Sequence, residues 1–126
     1  MPDLEIHDAE FHRGLELFNA EKFFDAHEVL EDVWRPAPTS ERKFLQGLIQ
    51  VAVAFHHHSR GNLVGCRSLL ARASRNLSHY SSNHGGLNLG SLLGSLSQWR
   101  DALETGERVP ALPKLEIDRE GHNNSS

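Results

Sequence analysis

Phe23 to Arg35 reads "FFDAHEVLEDVWR", and this stretch decides the kind of fold. Each helical residue turns by about 100° from the last, so positions three and four apart share a face. On that geometry Phe23, Ala26, Leu30 and Val33 form one apolar stripe. Phe24, His27, Glu28, Glu31, Trp34 and Arg35 form the stripe beside it. A strand would alternate with period two, and this segment does not. It is a helix with one face for a core and a second face of mixed chemistry. Pro36 and Pro38 stop it, because proline has no amide donor and disfavours helix in the preceding residue.

Outward from this helix the same periodicity recurs. A first helix spans about His7 to Ala20, with Phe11, Leu15 and Phe18 on one side, and Asn19-Ala20-Glu21 makes a short turn. After the prolines, Thr39 or Ser40 offers an N-cap for a third helix running to about His58. Arg60-Gly61-Asn62 breaks the chain, and Asn62 caps a fourth helix on which Leu63, Cys66, Leu70, Ala73, Leu77 and Tyr80 recur at helical spacing. The outer side of that helix holds Arg67, Arg72 and Arg75, read as a solvated face. "SSNHGG" is a loop, a fifth helix runs from about Leu87 to Thr105, and Gly106 is its C-cap. "VPALPKLEI" is extended by its prolines and lies along the bundle. No strand or hairpin signal interrupts the series. The expectation is one all-α domain of about five helices over residues 1–115, followed by a disordered tail at 116–126.

The first two helices carry a further pattern. Gly14, Leu17, Phe23, Ala26, Leu30 and Pro38 sit at the offsets of a tetratricopeptide unit, where small residues let two antiparallel helices approach closely. No second copy follows at that period. The reading is a tetratricopeptide-like hairpin within a globular domain rather than a repeat array.

Composition narrows the function classes. A chain of 126 residues is long enough to bury a core without disulfides or a structural metal. Its net charge of −4 offers no overall electrostatic footprint for nucleic acid. The longest apolar run, Leu48 to Phe55, falls far short of the roughly 20 residues that span a bilayer. The acidic N-terminus lacks the order of a signal peptide, and the single Cys66 cannot pair within the chain. Cys66 itself falls on an apolar stripe and reads as a small core residue. These features point to a cytoplasmic protein that binds neither nucleic acid nor membrane.

Chemistry concentrates on the second face of the quoted helix. His27 and Glu31 are one turn apart, near enough for an imidazole nitrogen and a carboxylate oxygen to hold one ion, and such donors suit zinc, manganese, iron or nickel. On the third helix, Gln46, Gln50, Val53 and His57 share an arc. Antiparallel packing would bring His57 toward His27 as a third ligand, with Gln50 behind it. Glu28 is a further candidate. A plainer reading stands beside this one: His27–Glu31 and Glu31–Arg35 are ordinary i, i+4 pairs. The run His56-His57-His58 cannot ligate one ion, since consecutive residues point in three directions; it suits the negative end of a helix. "HEVLE" departs from the zinc-protease pattern because a glutamate replaces the second histidine.

Taken together, "LELFNAEKFFDAHEVLEDVWR" and "RKFLQGLIQVAVAFHHHSRGNLVGCRSLLARA" resemble family 309 in the domain-of-unknown-function series. The resemblance covers about Phe11 to Ala73. Its hallmark, H-x-x-x-E-x-x-(W or Y), is read here as His27, Glu31 and Trp34, and Phe44 to Gln50 and Gly61-Asn62 also fit. It implies an all-helical fold and a hallmark suggested to bind metal. Three functional expectations stay open at this point. One is a divalent-metal pocket centred on His27 and Glu31, which in an enzyme would support metal-assisted hydrolysis with Glu28 as base. A second is a buried hydrogen-bond network of His27, Glu31, Trp34 and Gln50. The third is an interaction module with Trp34 as anchor, binding a protein partner or a second copy of the chain.

Overall fold

The computed structural model describes residues 8–117, which form five helices and one 3₁₀ turn. Helix α1 is Asp8–Asn19, α2 Phe23–Trp34, α3 Thr39–Ser59, α4 Leu63–Leu77 and α5 Leu89–Thr105. Each packs on the next in chain order. The only β-type pairing among the described residues is an isolated antiparallel bridge between Leu87 and Ile117. The expected start of the first helix at His7, the N-terminal segment before it and the tail beyond Ile117, with His122, lie outside the described residues.

The apolar stripes meet in one core. Phe18, Phe23 and Phe55 bring α1, α2 and α3 together, and the Phe55 and Trp99 rings stand 4.8 Å apart edge to face, tying α5 to α3. Such pairs add to the burial energy of large rings. Glycine sets the closest approaches. A Cβ on Gly14 would stand 2.7 Å from Leu30 of α2, and one on Gly47 would stand 2.7 Å from Leu77 of α4. The α1–α2 hairpin therefore closes on a glycine, as the tetratricopeptide-like spacing predicts.

Helix ends follow local chemistry. Asn62 caps α4 by accepting from the Gly65 amide at 2.9 Å, and Gly106 closes α5 in the left-handed conformation with φ 78°. Three boundaries differ from the sequence reading. Thr39 is already helical and Pro38 holds the N-cap position of α3 with no side-chain cap. Helix α5 begins at Leu89 because Asn88 caps it, accepting from the Ser91 amide at 3.1 Å. Helix α4 also stops short of Tyr80, whose hydroxyl turns to the Ser40 carbonyl of α3.

The proline-rich segment after α5 runs back along the bundle. Trp99 Nε1 donates to the Ala111 carbonyl, and Asn19 makes paired hydrogen bonds with the backbone of Leu115 at 2.7 and 3.0 Å. Glu116 and Ile117 continue this order: the Asn88 amide donates to the Glu116 carbonyl and Ile117 bridges to Leu87.

Candidate functional site: the outer face of the second helix

Helix α2 buries Phe23, Ala26, Val29, Leu30 and Val33 and turns the predicted second stripe outward and toward α3. His27 Nε2 lies 3.4 Å from Glu31 Oε2, and His27 Nδ1 lies 3.3 Å from the Phe24 carbonyl oxygen. Both ring nitrogens thus face oxygen acceptors. The His27 side chain is 20% exposed and that of Glu31 41%, so the pair sits at the surface rather than inside a cavity.

The neighbours of this pair differ from those the sequence arc suggested. Packing of α2 against α3 is antiparallel, with Phe24 beside His56 at 5.5 Å and Trp34 beside Arg42. Arg42 and His56 are fourteen residues apart, which returns them to nearly the same side of α3. His57 lies one residue, or about 100°, further round. It lies toward the turn into α4, where Nδ2 of the capping Asn62 stands 3.4 Å from its Nδ1. Gln50 shares that arc and accepts a hydrogen bond from Asn76 of α4 at 2.9 Å. Gln46 is exposed. Neither the His57 ligand nor the Gln50 partner reaches His27.

A protein-only metal centre does not assemble from these donors. Glu28 is exposed and forms no hydrogen bond or ion pair among the described residues. No group of three or more His, Cys, Asp or Glu side chains converges among the described residues. Two donors from one turn of helix fall short of the three protein ligands that catalytic zinc sites use. The buried-network reading also fails in its expected form, because Gln50 belongs to the α3–α4 seam.

Trp34 and Arg35 occupy the C-terminal end of the same face. The Arg42 guanidinium stacks 3.9 Å from the Trp34 ring centroid and donates to the Trp34 and Arg35 carbonyls at 3.1 Å. One side chain thereby combines a cation–π contact with capping of the α2 carbonyls. Trp34 Nε1 is buried with no hydrogen-bond partner among the described residues. Arg35 pairs with Asp32 at 2.6 Å and only loosely with Glu31 at 3.9 Å. At the other end Phe24 is 49% exposed, its ring 5.3 Å from that of His27.

One polar cluster had no signal in the sequence. Glu41 in the first turn of α3 is buried, and His84 Nε2 meets its Oε1 at 2.7 Å. The His84 ring also packs on Phe44 and Tyr80 at 4.6 Å from each. A glutamate and a loop histidine 43 residues apart share no helical spacing, so only the folded chain brings them together. This cluster anchors the "SSNHGG" loop to α3.

Two uncharacterized proteins are similar to this chain over about two thirds of its length. Over 86 residues the chain is 37% identical to the uncharacterized protein YpuF of Bacillus subtilis (strain 168), an alignment covering 66% of this chain and 49% of that relative. It is 31% identical over 90 residues to an uncharacterized protein of Aquifex aeolicus (strain VF5), covering 71% of this chain and 27% of the relative. The chain thus spans about half the length of the first and about a quarter of the second. Among the described residues no helix is long and apolar enough to cross a membrane. Residues 11–69, from α1 into α4, match the family model described as Domain of unknown function (DUF309), and this stretch of the chain is a DUF309 domain.

Proposed function

We propose that the chain is a helical interaction module whose contact face is the outer side of α2 with the C-terminal turns of α3. The observation that carries this reading is the half-exposed Phe24 ring, flanked by His27 and His56. A large aromatic held between two helices is the kind of anchor that dominates protein interfaces. Around it α2 presents Asp25, Glu28, Glu31 and Asp32, so the partner expected is an amphipathic segment with an apolar residue over Phe24 and basic residues beside it. Trp34 is not that anchor, since Arg42 covers its ring and its Nε1 is buried. The two relatives differ in how much of their length the matched region occupies, which fits a unit used in different contexts.

A photoreactive amino acid at position 24 tests the proposal. It should cross-link a discrete protein in cells, whereas the same group at the exposed Lys43 of α3 should not. The purified partner should then bind Phe24→Ala at least tenfold more weakly than wild type, with the melting temperature of the variant unchanged. Equal cross-linking at both positions, or a Phe24→Ala variant that binds as well as wild type, would sink the reading.

A further inference from the structure

We infer that the groove between α4 and α5 is a binding site for a compact phosphorylated anion, held by Arg75 and Arg100 with Ser97 as a hydrogen-bond donor. This site is on different helices from the α2 face and does not depend on the interaction-module reading. The groove has a volume of about 550 Å³, in the size range of small-molecule sites. Arg67, Arg72 and Arg75 enter it from α4 and Arg100 from α5. None of these four guanidiniums forms a hydrogen bond or ion pair among the described residues, although Asp101 and Glu104 line the same groove. Four like charges gathered in a chain of net charge −4 repel one another, and an oxyanion offsets that repulsion.

The two carboxylates place the anion. At the end away from Asp101 and Glu104, the groove continues into a space of about 380 Å³ that no carboxylate lines. Arg75 and Arg100 border both parts, one from each wall. The serines Ser74 and Ser97 border the carboxylate-free part. Ser74 Oγ is closed to the groove, whereas Ser97 is exposed and borders both parts. Arginine's planar fork suits phosphoryl oxygens, and a hydroxyl donor completes the set. No aromatic side chain lines either part, so the recognised unit is the phosphoryl group itself rather than a stacked base. A diphosphate, free or carried on a nucleoside, has the charge to engage Arg75 and Arg100 from the two walls while Arg67 and Arg72 supply field.

Calorimetric titration of the full chain with pyrophosphate and with ADP, at physiological salt, tests the assignment. Both ligands should bind with affinities within a few-fold of each other, and adenosine alone should not bind. Arg75→Gln and Arg100→Gln should each weaken binding at least tenfold, Arg75→Lys less so, and Arg108→Gln, outside the groove, not at all. Ser97→Ala should weaken binding several-fold while leaving thermal stability unchanged, because it removes an exposed hydroxyl of the groove. Absence of heat with both diphosphates would overturn the inference, as would unaltered affinity in Arg75→Gln. Adenosine binding as tightly as ADP would replace it with a nucleoside site. Tighter binding of a polyglutamate peptide than of pyrophosphate would replace it with an acidic protein partner, of which the α2 face of a second copy is one example.

Discussion

The outer face of α2 and the groove between α4 and α5 are both polar, and they treat charge in opposite ways. On α2 most of the polar groups find partners within a turn or across to α3, with His27 beside Glu31, Arg35 on Asp32 and Arg42 over Trp34, while Asp25 and Glu28 point to solvent. In the groove, four arginines stand unpaired among the described residues beside two carboxylates that share the space. The first face lies within the stretch that matches the family model, and the second lies largely beyond it, since that stretch ends at residue 69. A dense motif on one helix thus turns out to be mostly self-satisfied. The face with unspent electrostatics is the one whose members come from two helices. Motif density and functional potential are separate quantities in this molecule.

Helix α4 separates the two environments, which gives the first way to sharpen the contrast. Its outer side is the arginine wall, while its inner side buries Cys66, where burial pushes the thiol up from 9.0 to about 11. The folded state keeps this proton where the unfolded chain has already lost it. Stability is therefore fully present below pH 9 and falls as pH rises toward 11, by up to about 2–3 kcal/mol. Denaturant titrations from pH 8 to 11 should show that decline in wild type and a smaller one in Cys66→Ala. Parallel curves for the two proteins would mean that the inner side of α4 is wetter than its burial indicates.

A pair of glycines tests the packing on either side of the groove. Gly47 lets α3 approach α4, and an added Cβ would strike the fully buried Leu77. Gly47→Ala should cost about 1–2 kcal/mol, the overpacking penalty less the gain in helix propensity. Gly94 of α5 has nothing within 4 Å of its added Cβ. Gly94→Ala should instead stabilise by about 0.5–1 kcal/mol. Thermal melts of the two variants should move in opposite directions; movement in the same direction would show that α5 packs more tightly than its surface suggests.

The fold was legible because the sequence repeats one signal, apolar residues at helical spacing, and interrupts it with capping residues. Asn62 and Gly106 mark ends that the structure reproduces. Asn88 carries the same information, but Leu87 beside it extends the apolar pattern; Leu87 is buried against the C-terminal segment instead. The candidate site was legible only along one helix. Spacing places His27 beside Glu31, but it cannot say which residue of α3 faces them, and one step from His57 to His56 moves an imidazole from the α3–α4 turn to the side of α2. Gln50 went to α4 for the same reason. The Glu41–His84 contact and the meeting of Arg100 with the α4 arginines join segments far apart in the chain, where periodicity carries no information.

The smallest expected effects bear most directly on the contrast between the two faces. Arg42 is built into the fold: it stacks on Trp34 and satisfies two carbonyls at the end of α2. Arg42→Ala should lose about 1–2 kcal/mol, since a cation–π contact and two charge-assisted hydrogen bonds disappear together. Arg75 makes no comparable contact among the described residues and faces three like charges. Arg75→Ala should change stability by less than about 0.5 kcal/mol, with a slight gain at low salt that fades as salt screens the repulsion. Urea denaturation of both variants at two ionic strengths separates them. A large loss for Arg75→Ala would make the groove arginines structural, and the contrast between a self-satisfied face and one awaiting an anion would collapse, because their charge would already be engaged within the fold.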